Sequence, residues 1–199
     1  MATIKINAED QIRRLNIIVS VVEKFQELSL EELNRKPNAK QWSIIEVIGH
    51  MNQAYVDYKD KIDHAVNTFP KKEHEVSETH IAKGMGKVAI NMIRPNNGQR
   101  KWKMKTMKKF EPNSVLSNAS ESEIKDTFQT FFENQQHLKS AVLASRQLDV
   151  KKHKITSAIG PVVKFYLPDC FEFIISHEER HVLQIEELLA IFRKMQVAV

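Results

Sequence analysis

Apolar residues recur at helical spacing over four long stretches of this chain, and each stretch opens with residues suited to cap a helix. Asn7, with Asp10 three residues on, precedes Ile12, Leu15, Val19, Val22 and Phe25, which predicts a helix from about residue 7 to 28. Ser29-Leu30-Glu31-Glu32 reads as a capping box for a short helix that Pro37 ends. A second long helix opens at Ser43-Ile44-Ile45-Glu46, another capping box, with Trp42 placed to staple onto Val47. Ile44, Ile48, Met51, Tyr55, Tyr58, Ile62 and Val66 carry its apolar stripe to about Asn67. The third runs from the Ser120/Glu123 box to about Ala144, with Ile124, Phe128, Phe131, Leu138 and Val142 inward. The fourth starts around Pro168, a residue suited to a first helical turn, and continues to about Lys194, with Ile174, Ile185, Leu188 and Phe192 on its buried side.

Between the second and third helices lies an insertion, residues 68–119, whose apolar run from Val88 to Ile93 is expected to form a helix on the bundle surface. Residues 148–167, with Gly160-Pro161, read as an irregular loop. Four amphipathic helices with one long crossover predict an all-α fold, a four-helix bundle formed as one domain over 1–199. Composition agrees: 42% hydrophobic and 28% charged residues are ordinary for a globular protein, and 5 Gly and 6 Pro are too few for a turn-rich all-β fold. One cysteine, Cys170, excludes an intramolecular disulfide and reads as a small buried hydrophobe. With no signal-like apolar N-terminus and no apolar run of membrane-span length, the expected setting is cytoplasmic.

Charge changes this picture in one place. Arg94, Arg100, Lys101, Lys103, Lys105, Lys108 and Lys109 fall in one stretch without an acid, and Trp102 and Phe110 lie in or beside it. A solvated loop is the plain reading of such a run, a path for an anionic small molecule a second, and a nucleic-acid patch a third that is not expected to hold.

The chemistry concentrates in His177-Glu178-Glu179-Arg180-His181. Residues four apart on a helix differ by about 40° around its axis, so both imidazoles can reach one point. They continue the stripe Ile174, His177, His181, Ile185, Leu188, Phe192, so they interrupt the core-facing side. Two stacked, unpaired imidazoles there would cost about 1–3 kcal/mol each and repel if protonated; a shared metal ion removes both problems. Among the remaining histidines, His74, His80 and His153 fall in expected loops and His64 among charged neighbours. His50, beside the apolar stripe of the second helix and one turn past Glu46, is the expected third ligand; His137 on the third helix is the alternative. Tyr55 and Tyr58 read as core aromatics with wet hydroxyls.

Read literally, the stretch is also the H-E-x-x-H of zinc peptidases. That site needs a downstream third ligand, yet Gln184 stands where a glycine is expected and Glu187 where a histidine is, both on the same helix. Few strand-like segments are available for the sheet such enzymes carry, which leaves a peptidase as a remote alternative.

Trp42-Ser43-Ile44-Ile45-Glu46-Val47-Ile48-Gly49-His50 resembles the W-S-x-x-E-x-x-x-H segment of DinB-like (DinB/YfiT-like) proteins, and His177 to Ile185 resembles their H-E-x-R-H-x-x-Q-I segment. The resemblance spans nearly the whole chain in order and spacing. It implies an up-down-down-up four-helix bundle, often homodimeric, holding a divalent metal on His50, His177 and His181, with Zn expected first and Ni, Fe or Mn as substitutes. It also implies a metal-dependent thiol S-transferase acting with a low-molecular-weight thiol such as bacillithiol, mycothiol or glutathione, or a related metal-dependent hydrolase. Expected partners are therefore a small-molecule substrate and a second copy of the chain, not a nucleic acid or a membrane. Glu178, between the ligands and four residues past Ile174, is the candidate catalytic base or hydrogen-bonding support. A non-catalytic bundle with a structural metal would show the same stripes, and a fourth protein ligand would mark it.

Overall fold

The structure is a computed structural model that describes residues 3–72, 79–100, 106–151, 153–160 and 162–197. Its helices are α1 (Ala8–Phe25), α2 (Leu30–Asn34), α3 (Ile44–Thr68), α4 (Gly84–Ile93), α5 (Glu121–Ser145) and α6 (Leu167–Val197). The expected caps form. Asn7 accepts from the Asp10 amide, and Ser29/Glu32, Ser43/Glu46 and Ser120/Glu123 close complete capping boxes. The first helix ends at Phe25, one turn short of the sequence estimate, and Pro168 sits in the first turn of α6.

Both α1 and α3 pack against α5 and α6, which sets the cyclic order α1–α6–α3–α5. The all-α bundle expected from periodicity is what forms. Its core is filled by Leu15 of α1, Ile44, Ile48 and Ile62 of α3, Phe128, Phe131 and Leu138 of α5, and Phe171 and Ile185 of α6. The apolar run 88–93 belongs to α4, which lies on the outside of α6 and buries Gly86, Ala89, Ile90 and Ile93.

Two features depart from the sequence reading. The 148–167 connection contains an antiparallel pair, β3 (Lys154–Thr156) with β4 (Lys164–Tyr166), in the register Ile155 opposite Phe165. A second pair joins β1 (Lys5–Ile6) to β2 (His80–Ile81). Strands of two or three residues are too short to show a period of two, so they are not visible to pattern reading.

Covered by α4 and β4 as well as the bundle, α6 is buried far beyond one stripe, and it carries charged residues into that environment. Arg14 of α1 answers two of them: its Nη1 donates to Glu172 at 2.7 Å and its Nε to Glu179 at 2.7 Å. Arg94 approaches the same Glu172 carboxylate from the end of α4. The two carboxylates hold the Arg14 guanidinium pKa above its ordinary value although burial opposes them. Removing one partner from a buried pair strands the other. Arg14→Ala is expected to destabilise the fold by about 3 kcal/mol, read as a lower urea midpoint with unchanged m-value; a midpoint within error of the parent would show that Arg94 alone satisfies Glu172.

Candidate metal centre

The Ser43/Glu46 capping box starts the helix that carries His50 one turn later, and Glu46 is tied down further by Lys36 Nζ at 2.7 Å. Trp42 packs its ring against the His50 imidazole, centroids 5.0 Å apart. The Leu116 side chain packs where a Cβ at Gly49 would stand. From the 3-10 turn before α5 the Phe110 carbonyl oxygen meets His50 Nδ1 at 2.5 Å.

Three ring nitrogens converge from two helices. The Nε2 atoms of His50 and His177 are 3.3 Å apart, those of His50 and His181 3.1 Å, and those of His177 and His181 3.1 Å. Each ring offers one atom to a common point, and among the described residues no fourth His, Cys, Asp or Glu joins the group. Nitrogen ligands about 2.0–2.1 Å from a tetrahedral ion lie about 3.3 Å from one another, so the triangle has the right size.

The tautomers make the case sharper. His50 Nδ1 faces the Phe110 carbonyl, and His181 Nδ1 faces Gln184 Oε1 at 3.0 Å. Arg100 Nη1 donates to the same Gln184 oxygen at 3.0 Å, which fixes the amide as an acceptor. Both Nδ1 atoms are therefore donors, and the two Nε2 atoms turn lone pairs toward each other across 3.1 Å. No proton lies between them to make that a hydrogen bond, whereas a cation satisfies both. Burial, followed by the His50 imidazole and Arg180, pushes the His177 pKa down to about 3. Burial also lowers His50 and takes His181 well below its ordinary value, with His177 and His50 adding to the latter. All three rings stay neutral, the ligating form.

Glu178 faces the same space. Its Oε1 accepts from Gln135 Nε2 at 2.7 Å, its Oε2 is buried without a partner, and burial drives its pKa up to about 8. A cavity of about 340 Å³ opens over the histidines and Glu178, walled by Met51, Tyr55, Phe173 and Ile174. This is the size of a small-molecule site.

The other histidines fall elsewhere. His137, the alternative ligand, receives the Tyr55 hydroxyl on Nδ1 at 2.6 Å and donates from Nε2 to Asp63 at 2.7 Å. This Tyr55–His137–Asp63 chain was not anticipated; the two-turn spacing of Tyr55 and Asp63 on α3 was its only signal. The Tyr55 and Tyr58 hydroxyls are buried and bonded to His137 and Ser157, not wet. His80 pairs with buried Asp169, His153 lies beside Phe69, and His64 is exposed. His74 lies outside the described residues. Cys170 is buried with its thiol pKa raised by burial, the inert state expected of it. In the basic run, Arg94 pairs with Glu172, Arg100 with Glu187 and Lys109 with Asp57. Lys101, Trp102, Lys103 and Lys105 lie outside the described residues. Glu187, where a peptidase would need its third ligand, stays on α6 and is engaged by Arg100.

The family model of the DinB superfamily matches residues 20–185. The chain belongs to that superfamily. It is also 25% identical over 175 residues to the uncharacterized protein YuaE of Bacillus subtilis (strain 168), a match covering 81% of this chain and 85% of that one. No solved structure is matched. Both expected ligand segments fall within the matched residues, and among the described residues no helix is long and apolar enough to cross a membrane.

Depressed imidazole pKa values carry a consequence for the metal-free protein. Unfolded imidazoles titrate near 6.5, so below that pH the unfolded chain takes up protons that the folded rings refuse. Stability contributed by these rings is present above about 6.5 and is lost as pH falls toward the folded values. Glu178 acts in the opposite sense, being stabilised below its unfolded pKa and losing that contribution as pH rises through about 8. Three rings outweigh one carboxyl between about pH 6.5 and 5. The urea midpoint of chelator-treated protein should therefore fall over that range, and more shallowly in His177→Leu. A parallel fall in both would remove the site as its cause.

Proposed function

We propose that this protein is a metalloenzyme whose His50, His177 and His181 side chains hold one divalent ion, zinc first among the candidates. The observation that carries the reading is the triangle of Nε2 atoms in which two rings have already committed their protons to Phe110 and Gln184. When bound, the ion supplies Lewis acidity that lowers the pKa of a thiol or water brought to it, so that a nucleophile forms near neutral pH.

The chain's own groups supply the rest. Phe110 and the Arg100–Gln184 pair orient the outer nitrogens of His50 and His181, which fixes the direction of their lone pairs. Glu178 is the proton acceptor of this reading. Burial alone leaves it neutral near pH 7, and a neighbouring cation shifts it back toward the carboxylate, which places it near the balance a general base needs. Gln135 holds one of its oxygens and leaves the other free to receive the proton. Tyr55, Phe173 and Ile174 make the surrounding wall largely apolar and restrict water.

Between the two chemistries open to such a site, transfer of a low-molecular-weight thiol to an electrophile is the preferred one. Support for it is superfamily membership, since thiol S-transferases are among the better understood DinB-like proteins, together with a cavity that offers an apolar electrophile room. Hydrolysis of an ester or amide is the second reading and uses the same residues.

Metal content tests the centre directly. Purified protein should carry about one divalent ion per chain, and His50→Ala, His177→Ala and His181→Ala should each cut affinity at least about 100-fold. His64→Ala, His137→Ala and His153→Ala should leave it unchanged. Full occupancy in His50→Ala would refute the ligand set.

Reaction class follows from turnover. Zinc-loaded protein should accelerate conjugation of 1-chloro-2,4-dinitrobenzene with at least one of bacillithiol, mycothiol, glutathione or cysteine. His181→Ala should abolish that activity while helical circular dichroism persists, and Glu178→Gln should slow it about 10²-fold or more with metal retained. Ester turnover without any thiol, and none with thiols, would replace transfer by hydrolysis.

A further inference from the structure

Most of the buried charge on α6 is answered group by group. Asp169 is met by His80, Glu172 by Arg14 and Arg94, and Glu178 by Gln135. Arg180 is only 5% exposed, and its Nη1 is buried without a hydrogen-bond partner. Among the described residues no carboxylate forms an ion pair with it; Glu187, the nearby acid, is taken by Arg100.

Arg180 lines the cavity of the metal centre. The buried polar side-chain atoms without partners among the described residues are Gln135 Oε1, Glu178 Oε2 and Arg180 Nη1. Glu178 and Arg180 are both in the cavity wall, and Gln135 stands directly behind Glu178. Unsatisfied groups are rare in folded proteins, and leaving a guanidinium so is costly. Of the three, only Arg180 Nη1 is a donor, so it is the one that a ligand acceptor in this cavity would complete.

Another part of the lining is apolar and exposed. Met85 and Met92 of α4, and Met107 beyond it, line the same cavity yet are 50%, 52% and 42% exposed, so they form its rim. Thioether side chains adapt to varied apolar shapes and are used where a binding surface must re-pack around its ligand.

We propose that the cavity binds a small amphipathic anion, a carboxylate on an apolar body, with the carboxylate on Arg180 and the body running out along the methionine rim. A planar guanidinium with free donors matches a carboxylate better than any neutral group. A wholly apolar ligand would leave Arg180 stranded, and a wholly polar one would leave the rim wet. This ligand class rests on the metal-centre reading for what becomes of the ligand, but on Arg180 alone for its capture.

Octanoate and octan-1-ol, which share an alkyl chain, separate the contributions when titrated calorimetrically into the full chain with and without zinc. Octanoate should bind about ten- to hundred-fold more tightly than octanol whether or not zinc is present. Arg180→Gln should remove that preference while leaving octanol binding intact, which also shows the cavity still formed, and Arg180→Lys should restore part of it. Equal affinity for the two ligands, no octanoate binding by folded protein, or unchanged octanoate binding in Arg180→Gln would each overturn the proposal. So would octanoate binding that vanishes with zinc and ignores Arg180, because the carboxylate would then sit on the metal. Glutathione, with carboxylates on a polar body, is the contrasting probe: Arg180-dependent binding of glutathione but not of octanoate would also overturn it. If no metal binds under any condition while Arg180 still selects octanoate, the metal-centre reading falls and this one stands.

Discussion

Burying α6 on nearly every side while it carries ionisable groups is the constraint around which this protein is organised. A helix that is apolar all round can be buried without further provision, but Asp169, Glu172, Glu178, Arg180 and His181 cannot. Each needs a partner delivered from another element, and the demand dictates much of the architecture. The N-terminal helix delivers Arg14, the end of α4 delivers Arg94, and β2 delivers His80. The insertion thus adds His80 and Arg94 to the partners that α1 and α5 supply to α6. A buried ion pair of this kind need not add net stability over an apolar substitute. In the docked helix His177 and His181 face His50.

The insertion also finishes the site from outside. The Phe110 carbonyl sets the tautomer of His50, and Arg100 sets the Gln184 amide that in turn sets His181. These are contacts on the far side of the rings, where a hydrogen bond costs the metal-facing nitrogen nothing and fixes its lone pair. The Leu116 side chain packs over the bare backbone of Gly49. The basic character of the run from Arg94 to Lys109 therefore has a structural use in its described part: Arg94, Arg100 and Lys109 are tethers to acids of α3 and α6.

Much of this was legible beforehand because helix periodicity and capping boxes are local signals. Ser43, Glu46 and His50 lie within eight positions, and His177 and His181 within five, so a reader of the sequence sees each half of the site. Bringing the halves together needed only the assumption that both stripes face one core. What escaped notice was non-local or too short to repeat. His137 and Tyr55 satisfy one another through contacts between residues 82 apart, and the pairing of Lys154–Thr156 with Lys164–Tyr166 involves strands too brief to alternate visibly. In the sequence Arg180 is one position of a motif; its unpartnered Nη1 in the folded chain sets it apart from Arg14 and Arg94.

Charge balance ties the two proposals together. Three neutral imidazoles contribute nothing against the charge of a divalent ion, and Arg180 adds a further positive group to the same cavity. Glu178 offsets only one unit when ionised, and it gives up even that when it takes a proton. In a cavity of low dielectric such an excess of positive charge is unfavourable, and anions entering it relieve the excess. An anionic nucleophile relieves part of it and an anionic group on the second reactant relieves more. With both proposals granted, charge balance favours a state in which both are present over a state with either alone. Arg180 on this view is a means of admitting the second reactant as well as a residue awaiting a partner, and the apolar wall that isolates it from water is what gives its charge that reach.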